Sequence, residues 1–318
     1  MRFIKDFLLA HSGSYKNALA RIRELEAWQG RQFERDRNLQ EFCKNSDTIL
    51  KVLNNMGDDE SKVAYKNEIV TVLLGEYGLE LTQKLGFTVT FKEGEDQLYS
   101  IDPSRFPEIE YLPEWKFPPQ VAGLAFVYPQ YEYKDKVVLE KGGTFLDCGA
   151  CAGEVAVWAS EKVGSEGNVF AFEPSPRVFE LLKRNLNKFA PETVAVNAAI
   201  GNSEEMICFS EDNAPWSKVV QESQLKIPTV RIDQFCAENE VVPTLIKMDI
   251  EGFEIEGLKG AKNTIKKYKP DLTICTYHTP FHVWEVGAQI LESCSDYRFY
   301  FKKHQTFSEA VLYATVKR

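Results

Sequence analysis

The chain has 318 residues, of which 44% are hydrophobic and 12% aromatic, which is enough for one large domain or two of moderate size. Its net charge of −9 argues against a basic surface for nucleic acid and against attraction to anionic lipid. No apolar run is long enough to span a membrane, and no secretory signal is recognised. The seven cysteines lack a regular spacing, so we expect a reducing, cytoplasmic location.

Residues 1–100 are predicted to be a mainly helical region. Apolar residues recur there at helical spacing, and shorter helices are expected after Ser46 and after Asp58. Alternating residues at 87–91 and 97–101 predict two strands near its end. The role of the helices is left open between shaping specificity and forming a homodimer interface.

Residues 101–135 are rich in proline and aromatic residues. Such a segment is typical of a linker or of a cap that packs on a neighbouring domain. It can equally form a wall of a ligand crevice, and the sequence leaves these interpretations open.

Residues 136–318 alternate short apolar strands with helical runs, which predicts an α/β fold with a parallel, Rossmann-like sheet. Two strands at the end follow each other without a helix, so one of them is expected to run antiparallel at the sheet edge. The predicted strands are 144–148, 168–172, 193–197, 244–248, 271–275, 297–301 and 310–316. The predicted helices are 154–162, 177–189, 254–267 and 284–294.

The first of these strands ends in Asp147, and a turn of small residues from Gly149 to Gly153 leads into a helix. Glycines allow backbone to approach a ligand closely, and the helix start offers free N–H groups to an anion. Ala150 and Cys151 occupy the place of the central glycine of a nicotinamide-binding turn. This turn therefore favours an amino-acid group over a pyrophosphate.

The second strand is followed by Glu173, 20 residues beyond Gly153. An acid at this distance can accept hydrogen bonds from both ribose hydroxyls of a nucleoside. The third strand leads into VNAAIGN, whose small residues around Asn197 suit flat packing against a purine. S-adenosylmethionine, a nucleoside that carries an amino acid, satisfies these features together with the turn.

Ionisable residues follow the next two strands. The segment KMDIEGFE carries Asp249, Glu251 and Glu254, and TYHTPFH carries His278 and His282. The donor atoms of four of them suit Mg²⁺ or Mn²⁺, which leaves a divalent metal as an open alternative, and these four are Asp249, Glu251, His278 and His282. The two glutamates are equally explained as acids that stabilise a helix start.

Several segments resemble one known family. FLDCGACAGEVAVW, VFAFEPSPRVFELLKRNL, LIKMDIEGFEIEGLKGA and TYHTPFHVWEV occur in this order within residues 126–316. In these segments the chain resembles the FkbM-type S-adenosylmethionine-dependent methyltransferases. The resemblance implies a class I methyltransferase fold, with a seven-stranded sheet and an antiparallel last hairpin. It also implies O-methylation of sugars, polysaccharides or natural products.

The resemblance assigns cofactor roles by position. Glu173 would bind the ribose, and Asp249 would face the transferred methyl group. The methionine part would be held by Asp147, Gly149, Ala150 and Gly153. The adenine would be surrounded by Pro174, Asn197, Ala198 and Ala199.

The acceptor must also lose a proton during transfer. His278 and Asp249 are the two candidate general bases, with His278 slightly favoured because free histidine titrates near about 6.5. His282, Tyr277 and Glu251 are predicted substrate contacts, and no residue is assigned to a metal.

The sequence thus predicts an O-methyltransferase that acts on a hydroxyl of a sugar, a nucleotide-sugar or a surface glycan. Methylation of a polyketide or another natural product is the closest alternative. An NAD-dependent oxidoreductase is disfavoured by the turn after Asp147, and a non-catalytic protein of the same fold stays open.

Overall fold

A computed structural model describes residues 32–74, 100–128, 130–210, 218–219, 222–304 and 309–317 of the chain. The predicted strand at 87–91 and most of that at 97–101 lie outside these residues, as do the helical positions before residue 32. Among the described residues, no helix is both long and apolar enough to cross a bilayer.

A seven-stranded sheet forms the centre of the molecule, with the strand order β10-β11-β9-β8-β1-β2-β3. All seven of its strands were predicted within two residues at either end. Their bounds are β1 Thr144–Cys148, β2 Asn168–Phe172, β3 Val194–Val196, β8 Leu245–Met248, β9 Asp271–Cys275, β10 Arg298–Lys303 and β11 Ala310–Thr315. The neighbours β3, β2, β1, β8 and β9 are parallel, so their carboxyl ends share one edge.

The antiparallel strand is β11, and it does not lie at the sheet edge as expected. It inserts between β9 and β10 and runs antiparallel to both. The short connection between β10 and β11 allows this arrangement, because antiparallel neighbours need only a hairpin loop. The sheet is therefore that of a class I methyltransferase, with β10 at the edge.

Helices cover both faces of this sheet. The long helix predicted at 254–267 is divided in two at Ala261. The Ala261 amide donates to the carbonyl oxygen of Leu258 in the first helix, and the Ala261 carbonyl oxygen accepts from the Ile265 amide in the second. The helices are α1 Gln32–Lys44, α2 Ser46–Asn54, α3 Asp59–Leu74, α4 Gln120–Val127, α5 Glu154–Val163, α6 Pro176–Phe189, α7 Ile232–Glu238, α8 Glu254–Gly260, α9 Lys262–Tyr268 and α10 His282–Ser293.

The described N-terminal helices pack onto the edge of the sheet. Met56 forms a bridge with Phe299 of β10, and the rings of Tyr65 and Phe301 meet edge to face at 5.5 Å. The apolar residues of α2 and α3 belong to the same buried cluster as those of β8, β9 and α10. These faces are occupied by contacts within the chain, and a homodimer through the N-terminal helices stays a prediction.

A second, four-stranded sheet lies beside the first and was not predicted. Its order is β4-β7-β5-β6, formed by Ala199–Ile200, Lys226–Val230, Met206–Ser210 and Lys218–Val219. Its own core is small, with Phe209 and Ile227 buried. Its first strand begins at Ala199, the last of the predicted adenine-contacting residues.

The proline- and aromatic-rich segment packs onto the sheet at the carboxyl ends of its strands. Asn185 of α6 accepts from the Glu110 amide at 2.9 Å and donates to the Glu110 carbonyl at 2.9 Å. Thr273 of β9 donates to the carbonyl oxygen of Tyr131 at 3.1 Å. These two attachments hold the segment above the carboxyl ends of the strands.

Candidate functional site

The loop between β1 and α5 is a tight turn built on backbone hydrogen bonds. The amides of Gly149 and Ala150 donate to the Phe172 carbonyl at 3.0 and 2.9 Å. Gly149 has a φ of +85°, which L side chains rarely adopt. A Cβ atom there would lie 1.9 Å from the carbonyl oxygen of Asp249. The turn therefore requires glycine at its first position.

A buried ion pair lies beneath this turn. The Lys247 Nζ atom is 2.8 Å from Asp147 Oδ1, and the two side chains are 3% and 0% exposed. The amine also donates to the Gly149 carbonyl at 2.6 Å. Burial opposes charge on the amine, but the carboxylates of Asp147 and Asp249 outweigh it and raise the pKa of Lys247. Burial also raises the pKa of Asp147, and the Lys247 amine opposes that rise. The pair supports the turn through the bond to Gly149.

Glu173 lies at the end of β2 with its carboxylate held on both oxygens. Oε2 accepts from the Cys151 amide at 3.0 Å and Oε1 from the Ser175 amide at 2.9 Å. Burial raises the pKa of Glu173 to about 8, although these amides oppose that rise. Each carboxylate oxygen has a further lone pair, so the group can still accept hydrogen bonds from a ligand.

Asn197 supports the segment that follows Glu173. Its side-chain amide donates to the carbonyl oxygens of Glu173 at 2.9 Å and Pro174 at 3.1 Å. Ala198 and Ala199 are buried beside it and carry no side chain beyond Cβ. The result is a flat, small-residue surface next to the carboxylate.

A cavity of about 450 Å³ opens at this edge of the sheet, within the size range of roughly 300–1,000 Å³ usual for ligand sites. One wall comes from the aromatic segment and α4, and the opposite wall from the strand ends. Its ionisable lining residues are Cys151, Glu154, Glu173, Asp249, Glu251, His278, Glu309, Tyr128, Tyr131 and Tyr277. The cavity is therefore aromatic on one side and predominantly acidic on the other.

The Asp249 carboxylate is fixed by two tyrosines and a histidine. Tyr277 donates to Oδ1 at 3.0 Å and Tyr131 donates to Oδ2 at 2.9 Å. The His278 Nε2 atom lies 3.2 Å from Oδ1. Burial would raise the pKa of Asp249, but His278 and the Lys247 amine hold it well below its usual range.

The buried carboxylate of Glu254 contacts two histidines, one with each oxygen. Its side chain is 0% exposed, with Oε1 2.8 Å from His278 Nδ1 and Oε2 3.0 Å from His282 Nδ1. Oε1 also accepts from the Ile250 amide at 3.0 Å. Burial would raise the pKa of Glu254, but the histidines lower it to about 2. This acid begins α8, as expected, and its buried carboxylate also holds the two histidines.

His278 is consequently charged. Burial disfavours the imidazolium, but Asp249 and Glu254 outweigh this and raise the pKa of His278 to about 10. Both ring nitrogens face carboxylates. A histidine in this state stabilises negative charge and has no lone pair with which to accept a proton.

The same three residues have the spacing of a metal site. The ligand atoms of Asp249, Glu254 and His278 all lie within 4.8 Å of one another. A histidine ligand must be neutral, however, and the carboxylates on both sides of His278 favour its protonated form. The arrangement fits an ion-paired cluster better than a metal centre.

The structure brings most of the predicted site residues to one cavity. Those that line it are Gly149, Glu173, Pro174, Ala198, Ala199, Asp249, Glu251, Tyr277 and His278. Those that lie behind the lining are Asp147, Ala150, Gly153, Asn197 and His282. For this second group, direct contact with a ligand stays a prediction, and the observed contacts are those of supporting residues.

Four residues with evident roles in the site were not predicted. Lys247 lies within an apolar strand, and Glu254 was interpreted as a helix-start acid. Tyr131 and Glu309 come from distant parts of the chain, 118 residues before and 60 residues after Asp249. Only their packing onto the same sheet edge brings them to the cavity, although the aromatic segment was one candidate for its wall.

Comparisons with known proteins find methyltransferases among the relatives of this chain. The model of the methyltransferase FkbM domain matches residues 147–308. The chain is 30% identical over 131 residues to the hexuronic acid methyltransferase AglP of Haloferax volcanii, covering 40% of this chain and 53% of that protein. It is 33% identical over 93 residues to a probable cobalt-precorrin-6B C(15)-methyltransferase of Sulfolobus acidocaldarius, covering 28% and 44%.

Among solved structures, methyltransferase FkbM from Methylobacillus flagellatus KT has a similar fold. The TM-score is 0.55 at 20% sequence identity, with 86% of this chain and 60% of that chain covered. The chain thus spans about half the length of the curated relatives it matches. The family model matches more than half of the chain, including the turn, Glu173, and the Asp249 and His278 segments. The chain belongs to the methyltransferase FkbM domain family.

Proposed function

We propose that the chain transfers a methyl group from S-adenosylmethionine to a hydroxyl of a sugar or glycan. The observation that carries the cofactor part is Glu173, a carboxylate that lines the cavity 3.0 Å from the Cys151 amide of the turn. Family membership supports methyl transfer, and the match to a hexuronic acid methyltransferase supports a sugar acceptor.

The described residues fit such a cofactor. Glu173 can accept from two ribose hydroxyls, and the small surface at Ala198 and Ala199 leaves room for a flat base. The turn at Gly149 offers close backbone approach to an amino-acid group. When bound, S-adenosylmethionine supplies an electrophilic methyl group, so the protein has only to orient the acceptor and remove its proton.

The acceptor side of the cavity suits a polyol. Asp249, Glu251 and Glu309 provide carboxylate oxygens, and Tyr128 lies on the aromatic wall opposite. Hydroxyl groups can donate to such oxygens, while aromatic and aliphatic side chains exclude water around them. These features support a sugar hydroxyl over an acceptor without polar groups.

A transfer assay with a defined panel tests this proposal. The full chain is incubated with methyl-labelled S-adenosylmethionine and, separately, with a neutral methyl hexoside, a methyl hexuronide, a nucleotide-linked hexose and a polyketide-type alcohol. We expect labelled methyl ether on at least one of the three sugars. Label only on the polyketide-type alcohol would mean that the acceptor is a natural-product hydroxyl and not a sugar. Binding of NAD without binding of S-adenosylmethionine would refute the function altogether.

A further inference from the structure

Glu309 is a cavity-lining acid to which the methyl-transfer proposal gives a part in acceptor binding but no part in the chemical step. It lies immediately before β11, one residue past the segment matched by the family model. Its side chain enters the cavity beside Asp249 and His278, whose charges it senses directly. The resemblance in sequence assigned no role to this position.

Glu309 is fixed from both sides by hydrogen bonds. Its carbonyl oxygen accepts from the His304 amide at 2.7 Å, and the next residue, Ala310, accepts from the Thr276 amide at 2.8 Å. The side-chain amide of Gln130 donates to Glu309 Oε2. A carboxylate held in this way has a defined direction into the cavity.

The support of Gln130 is itself fixed. The Tyr313 hydroxyl donates to the Gln130 carbonyl at 2.5 Å and lies 2.7 Å from His304 Nε2. Burial lowers the pKa of His304 to about 3, so this histidine is neutral and does not compete as a cation for Glu309. The hydrogen-bond chain therefore orients Glu309 without neutralising it.

The two acids nearest the acceptor side differ in character. His278 and two tyrosines hold Asp249, and the histidine helps to keep its pKa low. Burial and the Asp249 charge instead raise the pKa of Glu309 to about 7, against the hydrogen bond from Gln130. Environments that separate two neighbouring acids in this way are typical of a fixed charge and a proton-transfer group. The titratable groups that face Glu309 are Asp249, His278, Tyr277, Tyr131 and Cys275.

We propose that Glu309 is the general base that accepts the proton of the acceptor hydroxyl. This inference rests on the proposed methyl transfer. As the acceptor oxygen forms its bond to the methyl carbon, the carbon–sulfur bond breaks and its electron pair stays on sulfur. The hydroxyl proton passes to the Glu309 carboxylate and later to solvent. Asp249 and His278 remain a charged pair that positions the reacting groups, and neither gains nor loses the proton.

Tyr277 connects the two acids. Its hydroxyl donates to Asp249 at 3.0 Å and is also in hydrogen-bonding contact with Glu309. The contact with Tyr277 lowers the pKa of Glu309, against the rise that burial and Asp249 cause. It therefore favours the ionised form of Glu309, which is the form that can accept a proton.

The first test needs no acceptor. S-adenosylmethionine is titrated calorimetrically near pH 7 in two buffers with different ionisation enthalpies, and S-adenosylhomocysteine, whose sulfur is uncharged, is the comparison. A cation beside Glu309 lowers its pKa, so we expect proton release that is smaller for S-adenosylhomocysteine and reduced in Glu309→Gln. The matched control is Glu285→Gln on the exposed face of α10, which should behave as wild type. Proton release that is unchanged in Glu309→Gln would overturn the proposal, whereas failure of the wild type to bind would refute the methyl-transfer function instead.

The second test follows turnover of the sugar in the panel that receives most label. We expect Glu309→Gln to lower kcat by about 10²–10⁴-fold with little change in KM, in line with the loss of a general base. The rise of kcat with pH through about 7 in the wild type should disappear in this variant. Glu309→Asp should recover part of the rate, which a purely structural role would not predict. Wild-type turnover by Glu309→Gln at pH 7 would contradict the assignment.

Discussion

Lys247 and Asp147 form an ion pair of 2.8 Å in which neither side chain is more than 3% exposed. The amine also donates to the carbonyl oxygen of Gly149. The pair thus connects the middle of the sheet to the turn that borders the cavity. Its buried position makes its loss costly, because a partner that remains alone is an uncompensated charge.

Lys247→Met should lower the free energy of unfolding by about 3–5 kcal/mol, since it leaves Asp147 buried without its ion-pair partner. Chemical denaturation of the full chain measures this loss. The double variant Asp147→Asn with Lys247→Met should recover part of it, because no charge is then left alone. Lys62→Met serves as the control, since Lys62 pairs with Asp59 at an exposed site. The prediction would be contradicted if Lys247→Met and Lys62→Met lowered the free energy of unfolding equally, within the roughly 0–1 kcal/mol typical of surface ion pairs.

Gly149→Ala should destabilise the fold more than Gly142→Ala. Both glycines have positive φ, +85° and +75°, so both substitutions carry a backbone penalty of about 1–3 kcal/mol. Only at Gly149 does the new Cβ also meet the Asp249 carbonyl, at 1.9 Å, whereas at Gly142 the nearest atom is 3.9 Å away. Thermal unfolding of the two variants gives the comparison, and an equal change in Tm would show that the turn can move away from Asp249.

The His278–Glu254 pair predicts a dependence of stability on pH. The pKa of His278 is raised to about 10, so its contribution is complete below about 6.5 and is lost as the pH rises towards 10. The pKa of Glu254 is lowered to about 2, so its contribution is present above about 4.5 and is lost as the pH falls towards 2. The stability difference between wild type and His278→Gln should therefore shrink between pH 6.5 and pH 10.

The pKa of His304 is shifted in the opposite direction to that of His278, so its effect on stability should fall in a different pH range. Its pKa is lowered to about 3, so the folded state binds fewer protons than the unfolded chain between about pH 3 and 6.5. Its neutral form thus contributes to stability above pH 6.5, and this contribution falls with acidity. Urea unfolding of His278→Gln and His304→Gln across the pH range should show these two separate windows. A His278 contribution that stays constant up to pH 10 would refute the charged state assigned to it.

The main sheet could be predicted from the sequence because buried parallel strands leave a clear signal. The runs at 144–148 and 271–275 are apolar, short and followed by helical spacing. The second sheet could not, because strands such as Met206–Ser210 are half exposed and pair across irregular connections. The placement of the antiparallel strand was also wrong in detail, since the hairpin pattern does not say which of two strands lies outside.

The site was predictable where residues follow strand ends directly, as Glu173 and Asp249 do. It was not predictable where function depends on a partner far along the chain. Nothing near Gln130 or Glu309 in sequence indicates that their side chains meet. The charge of His278 was equally hidden, because it depends on two carboxylates that only the fold brings to its ring nitrogens.

The central claim is that Glu173 holds the ribose of S-adenosylmethionine, and calorimetric titration with that compound tests it most directly. A buried hydrogen-bond donor left without its partner costs about 1–3 kcal/mol, so Glu173→Gln, which replaces one acceptor oxygen with an NH2 donor, should weaken binding by roughly five- to a hundredfold. Glu166→Gln, the same change at an exposed position, should bind as wild type does. We predict one binding site in the wild type, lost or strongly weakened only in Glu173→Gln. Equal affinity of all three proteins, or no binding by the wild type, would contradict the account.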